Sequence, residues 1–186
     1  DVGETLAFLR EPRWPDQPRK ALGRLPALLP LLKATPHSVA RPPDYETVQT
    51  GADVDLNCLP VWTCWPEDAG PLITWGLVVT RGTRKLRQNV APYRQQVLGR
   101  NRVIMRWLSH RGGALDFRDW QREHPGKPFP VVVMIGADPA LLIAATTPIP
   151  DSISEYQFAG LLRRRRSEVF RTAVGLDSCA SAEIVL

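Results

Sequence analysis

Apolar positions repeat at helical spacing early in the chain, where Leu22, Leu25, Leu28, Leu29 and Leu32 fall on one face. Pro26 and Pro30 interrupt that stripe. Proline in a helix interior loses a hydrogen bond and clashes with the preceding turn, so residues 18–33 predict two short helices rather than one. Residues 4–10 predict another short helix, and the leucine stripe reads as packing surface, not a membrane face. Residues 34–46 carry Pro36, Pro42 and Pro43 and are expected to form an extended linker. They mark a boundary between a helical connecting region over 1–46 and a main domain over 47–186.

The pattern then turns extended. Two short strands are expected around Gly51 within residues 47–62, followed by a turn-dense loop over 63–71. Residues 72–80 alternate, which puts Ile73, Trp75, Leu77 and Val79 on one face of a half-buried strand. Residues 87–113 hold two extended runs around Gly99-Arg100-Asn101 and read as a β-hairpin. With the turn centred on Arg100, Arg94 falls opposite Arg106 and Val90 opposite His110. Facing arginines repel, and so call for an anion between them or carboxylates nearby. Pro92 cannot donate to a ladder and marks an edge or bulge. A bulge there shifts side-chain parity and brings Asn89 to the face of Arg94, Arg106 and His110.

Further on, Asp116 is expected to cap a helix that runs to about Glu123 and stops at Pro125-Gly126. Residues 129–135 are almost continuously apolar and β-branched, the pattern of a strand buried on both faces. Asp138-Pro139 opens a helix to about Ala145, with Asp as N-cap and Pro in the first position. Asp151 or Ser154 starts another to about Leu162, and residues 167–173 and 182–186 close as strands. Many strands with scattered helices and no internal repeat indicate an α+β fold with a barrel-like sheet.

Composition narrows the function. The 186 residues suffice for one domain with a core. A net charge of +5 and a pI near 9.5 favour anionic partners: phosphate-bearing ligands, nucleic acid or an anionic membrane surface. Cys58, Cys64 and Cys179 form no CxxC pair, which excludes a zinc ribbon and argues against a disulfide framework. An odd count fits a reducing cytoplasm. No apolar run approaches the roughly 18 residues of a membrane span. P-loop, GxGxxG, GxSxG and HExxH motifs are absent. The chain opens without Met and stops in a strand-like run, so a segment of a longer protein is expected.

Three clusters carry candidate chemistry. Asn89, His110 and Glu155 are mixed oxygen and nitrogen donors, better suited to Mn²⁺ or Mg²⁺ than to zinc. Glu155 also fits the first turn of a helix, where the dipole favours a carboxylate. Arg94, Arg106 and Arg111 can bind phosphate or carboxylate in bidentate fashion, or simply pair at the surface. Four consecutive arginines at 163–166 read as a solvated helix end.

Several motifs, in order, resemble those of UbiD-type decarboxylases. They are Thr63-Cys64-Trp65-Pro66-Glu67-Asp68, Ile73-Thr74-Trp75-Gly76-Leu77, Arg87-Gln88-Asn89 and Tyr93-Arg94-Gln95-Gln96. Met105-Arg106-Trp107-Leu108-Ser109-His110-Arg111-Gly112-Gly113, Gly136-Ala137-Asp138-Pro139 and Ser154-Glu155-Tyr156 continue the match. Within the family the chain most resembles the 4-hydroxy-3-polyprenylbenzoate decarboxylase branch of ubiquinone biosynthesis. The resemblance implies a split β-barrel of flavin reductase type that binds prenylated FMN, with the cofactor phosphate held through Mn²⁺ and a monovalent cation such as K⁺. It implies Asn89, His110 and Glu155 as metal ligands, and Pro92, Tyr93, Arg94, Arg106, Trp107, Leu108, Arg111 and Gly112 as cofactor contacts. The resemblance also implies Arg94 as the arginine of the family's Glu-Arg-Glu (or Glu-Arg-Asp) catalytic network. Also implied are an aromatic carboxylic acid substrate, a homo-oligomer built through a C-terminal domain, and a cytoplasmic location with peripheral membrane contact for a polyprenyl substrate. Nucleic acid is not an expected partner.

The family's acid lies in a motif downstream of the Ala-Glu-Ile-Val-Leu strand, beyond Leu186, and Glu183 is not assigned that duty. The segment alone is therefore expected to be inactive. Other readings are a UbiD-type decarboxylase of another aryl or acrylic acid, a basic nucleic-acid-binding module, and a flavin protein without decarboxylase chemistry. The module lacks strand-face aromatics of RNP type and any helix-turn-helix signal. Ser154-Glu155-Tyr156 beside Asn89 and His110 weighs against the last, because a simple flavin reductase needs no metal.

Overall fold

A computed structural model describes Gly3 and residues 34–41, 44–150 and 152–186. The helices expected over 4–10 and 18–33 lie outside these residues. The strands are β1 His37–Ser38, β2 Leu72–Ile73, β3 Leu77–Thr80, β4 Asn89–Pro92, β5 Gln95–Gly99, β6 Arg102–Met105, β7 Val132–Ile135, β8 Glu168–Arg171, β9 Asp177–Cys179 and β10 Ile184–Val185. The helices are α1 Gly112–Glu123, α2 Pro139–Thr146 and α3 Glu155–Arg163. The strands form three small sheets, in the orders β10-β7-β3-β4, β2-β5-β6 and β1-β8-β9. The class is α+β as expected, and among the described residues the sheets do not close into a barrel.

β3 is the centre. It pairs antiparallel with β4 on one side and β7 on the other, and all four of its residues are buried. Strand side chains alternate between faces. Leu77 and Val79 therefore join Val90, Met134, Leu141 and Phe158 in the main core, while Val78 joins Tyr93 and Val133 on the opposite face. Each such buried aliphatic contributes about 1.5–3 kcal/mol. This corrects the half-buried strand expected over 72–80. The run breaks at residues 74–76 into β2 and β3, which belong to different sheets, and Trp75 is exposed.

Other expectations also shift. Residues 47–62 form 3₁₀ turns at Gly51–Asp53 and Leu56–Cys58 in place of two strands. β9 did not stand out in the pattern, because Asp177, Ser178 and Cys179 are not an apolar run. α1 begins at Gly112, four residues before the expected cap, and Asp116 is fully buried inside it. α2 agrees: Asp138 accepts hydrogen bonds from the N–H groups of Ala140 and Leu141, with Pro139 in the first position. α3 is capped by Ser154, whose hydroxyl accepts from Gln157 N–H.

The arginine run is more than a solvated helix end. Arg164 takes a left-handed conformation, φ 56°, and terminates α3. Arg163 pairs with Asp138 at 2.6 Å and donates to the Ser167 hydroxyl at 2.6 Å, joining the end of α3 to the N-cap of α2. Arg166 donates to the carbonyls of Thr35 and Pro36. There β1 lies parallel to β8, so this part of the proline-rich segment is an added strand.

Candidate functional site

The site forms where the chain changes sheets. β4 belongs to the β3 sheet and β5 to the β2 sheet, so Tyr93 and Arg94 make the corner between them. Pro92 has no N–H to offer the ladder beyond that point. Gln95 is fully buried and donates from Nε2 to the Tyr93 carbonyl at 3.1 Å, which pins the corner. β5 and β6 then pair with Gln95 opposite Met105, Gln96 opposite Ile104 and Val97 opposite Val103. Continued by one residue, this register sets Arg94 across from Arg106, as the turn around Arg100 requires. The expected pairing of Val90 with His110 does not form: Val90 lies opposite Val79, because β3 captures β4. The one irregularity of the hairpin ladder lies between Val97 and Gly99, not at Pro92.

A cleft of about 730 Å³ opens beside the corner, lined by Pro92, Tyr93, Arg94, Arg106, Leu108 and Arg111. Leu72, Ala91, Ile104 and Ala145 add to its apolar walls, and Thr146 follows Ala145 at the end of α2. The volume lies within the roughly 300–1,000 Å³ usual for a cofactor-sized ligand. Among the described residues no carboxylate pairs with Arg94, Arg106 or Arg111. Among the described residues no carboxyl lines the cleft either. Three guanidiniums around an apolar slot suit a flat ligand that carries anionic groups.

Trp107 packs beneath the cleft. Its ring stands 6.1 Å from Tyr93 and 5.9 Å from both Phe117 and Phe129. The Tyr93 hydroxyl accepts the N–H of Gly113 at 3.0 Å, satisfying one donor at the start of α1, where Arg111 supplies no side-chain cap. Tyr93 and Trp107 thus hold the helix start that presents Arg111 to the cleft.

Behind the corner lies a polar row. Asn89 Nδ2 donates to Thr80 Oγ1 at 3.3 Å, Thr80 donates to Asp116 at 2.7 Å, and Lys85 donates to the other Asp116 oxygen at 2.6 Å. Gly112 lies against the Asn89 carboxamide. Glu155, the first residue of α3, accepts the backbone N–H of Val90, next to Asn89. Its Oε2 is buried and has no hydrogen-bond partner among the described residues. Burial pushes its carboxyl up to about 7, with its own N–H, the Arg87 guanidinium and the Val90 N–H opposing the rise. A buried carboxylate oxygen without a partner asks for a cation.

The three expected metal ligands are placed unequally. Glu155 reaches the backbone of Val90, the residue after Asn89, at the start of β4. His110 is exposed in the turn before α1, two residues ahead of Gly112. Among the described residues no group of three or more His, Cys, Asp and Glu gathers as a metal site, and the expected set contains only two such residues beside the Asn. The carboxamide and the unpartnered carboxylate fit a hard divalent ion. Sequence reasoning missed Thr80, Asp116 and Gln95. Reading Asp116 as a cap turns it outward; the earlier start of α1 turns it inward.

Residues 37–186 match the UbiD family model, described as the 3-octaprenyl-4-hydroxybenzoate carboxy-lyase Rift-related domain. The chain is similar to the UbiD-class enzyme HmfF from Pelotomaculum thermopropionicum in complex with FMN. The TM-score is 0.72 and the identity 28%, over 85% of this chain and 37% of that one. It is similar to the closed form of Sedimentibacter hydroxybenzoicus vanillic acid decarboxylase, with a TM-score of 0.76 and 26% identity over 91% of this chain and 37% of that one. Similarity to apo Klebsiella pneumoniae 3,4-dihydroxybenzoic acid decarboxylase gives a TM-score of 0.73 and 28% identity, over 99% of this chain and 39% of that one. An evolved dimeric form of HmfF, also similar, is in complex with prFMN. The chain therefore spans just over a third of the length of these structures.

Proposed function

This chain belongs to the UbiD family, and on that premise we propose that the protein decarboxylates an aromatic carboxylic acid with prenylated FMN bound in the cleft. The observation that carries the reading is the cleft itself, where Arg94, Arg106 and Arg111 face one apolar slot without carboxylate partners among the described residues. HmfF bears FMN or prFMN, which supports a flavin here. The orphaned Glu155 oxygen beside Asn89 supports Mn²⁺, with His110 as the third ligand and a monovalent cation such as K⁺ alongside. The change of sheet at Tyr93 and Arg94 supports reading β2–β7 and β10 as a split β-barrel.

The flavin supplies the electron sink for the pair left when CO₂ departs. The protein side chains do the rest. Arg94 grips the substrate carboxylate with its planar fork. Arg106 and Arg111 hold the cofactor's phosphate, and Asn89, His110 and Glu155 hold the metal that neutralises it. Leu108, Ile104 and Ala145 exclude water from the slot, which strengthens every charge interaction within it. Glu183 lies against Gly136 between β7 and β10 and has no part in this scheme.

The finer substrate reading is 4-hydroxy-3-polyprenylbenzoate in ubiquinone biosynthesis, in a homo-oligomeric cytoplasmic protein that touches the membrane peripherally. The alternative is another aryl or acrylic acid; vanillic and 3,4-dihydroxybenzoic acid decarboxylases among the similar structures support a hydroxylated benzoic acid. The test loads the intact protein with prenylated FMN and Mn²⁺ and measures CO₂ release from 4-hydroxybenzoate-type and cinnamate-type acids. Release from the former is expected. Full flavin loading without release from any acid would overturn the decarboxylase reading.

A further inference from the structure

Thr80 and Asn89 lie directly opposite each other on β3 and β4. Thr80 is fully buried, and so is Asp116, which α1 brings up behind it. A buried hydroxyl and a buried carboxylate in one row need an explanation beyond packing, because each costs free energy unless its hydrogen bonds are met. The row meets them in only one direction.

Lys85 donates to one oxygen of Asp116 at 2.6 Å, and the carboxylate accepts at the other as well. Thr80 has a single hydroxyl proton, and Asp116 takes it at 2.7 Å. Thr80 Oγ1 is then left only as an acceptor toward Asn89. The group on Asn89 that faces it must be the donor, Nδ2, at 3.3 Å. The carboxamide oxygen is thereby turned the other way, over Gly112, where the lack of a side chain leaves room for it. The two ends of an amide do unequal work at a metal: the oxygen has lone pairs to give, and the nitrogen is a donor of protons only.

We infer that Asp116 and Thr80 are positioning residues that fix the orientation of the Asn89 carboxamide and so present its oxygen to a divalent cation. The inference rests on the reading of Asn89 as a metal ligand. Lys85 supplies the counter-charge that makes a buried carboxylate tolerable in this place. Without the Asp116 acceptor, the Thr80 hydroxyl could donate to Asn89 Oδ1, and the amide would turn its nitrogen toward the cation. Partners behind a ligand commonly control metal affinity in this way.

The test uses the intact protein, freed of metal and supplied with FMN. Mn²⁺ binding is followed through the electron paramagnetic resonance signal of the free ion, and thermal unfolding of the metal-free protein is followed separately. Thr80→Val keeps the shape but removes the hydroxyl, and it is expected to weaken Mn²⁺ binding about tenfold to a hundredfold. Thr80→Ser removes a buried methyl but keeps the hydroxyl; it should lose thermal stability yet bind Mn²⁺ as the unaltered protein does. A purely packing role predicts the reverse order. Asn89→Ala is the reference for loss of the ligand. If Asn89→Ala loses Mn²⁺ while Thr80→Val keeps full affinity, the positioning inference is overturned and the ligand reading stands. If Asn89→Ala binds Mn²⁺ as tightly as the unaltered protein, the ligand reading falls, and the inference with it.

Discussion

The Asn89 carboxamide lies directly over the α-carbon of Gly112, so close that a β-carbon at Gly112 would overlap its oxygen. The start of β4 and the start of α1 are thereby locked together. One carries a candidate metal ligand, and the other carries Arg111 into the cleft.

Gly112→Ala should therefore damage the site more than the fold. Overpacking of this kind costs about 1–3 kcal/mol where nothing can yield, and less where a side chain swings aside. Here the carboxamide can yield only by leaving the Thr80 hydroxyl. Weakened Mn²⁺ binding is expected, measured by titration, with a smaller fall in unfolding free energy. Unchanged Mn²⁺ affinity would show that the placement of Asn89 is immaterial to the metal.

Arg94 and Arg106 should respond differently. Arg94→Lys keeps a charge but loses the planar fork. CO₂ release should be lost while the flavin absorbance of the purified protein is kept. Arg106→Ala should instead release flavin. Equal flavin loss in the two variants would contradict the division of their duties.

Asp138 serves two elements at once, capping α2 through the N–H groups of Ala140 and Leu141 and pairing with Arg163 at 2.6 Å. Asp138→Ala loses the cap and leaves a partly buried guanidinium unpaired, a combined cost of about 2–3 kcal/mol. Asp138→Asn keeps an oxygen for the cap and should lose roughly half of that. Urea unfolding of the two variants checks the order: equal losses would mean that the cap contributes nothing, and an unaltered Asp138→Asn stability that the ion pair contributes nothing.

Gly76 is buried where three side chains converge. A β-carbon there would stand 2.9 Å from Gln95 Nε2, 3.0 Å from Val133 Cγ1 and 3.1 Å from Ile73 Cγ2. Gly76→Ala should lower stability by about 1–3 kcal/mol and disturb the corner that Gln95 holds. A melting temperature equal to that of the unaltered protein would show that the corner has slack.

Local sequence settles those features in which a residue acts on near neighbours. Asp138 with Pro139, and Ser154, start helices because their side chains and ring geometry act within one turn. The Arg100 turn sets the register that aligns Arg94 with Arg106, because the spacing on each side of a hairpin loop decides which residues face each other. Arg94 and Arg106 of the cleft were legible for that reason, and the motifs around the cleft arginines carried the family resemblance. Tertiary structure decided what depends on distant partners. β3 was already occupied by β4 and β7, so Val90 met Val79 and not His110, and both faces of β3 were buried. The third sheet gave β1 a partner in β8, and α2 gave Arg163 its carboxylate. Asp116 became an inward residue behind Thr80 only because α1 packs against the sheet in one rotation. Periodicity records which face of an element is apolar. It does not record which strand or helix covers that face, and that choice is made by burial among residues far apart in the chain.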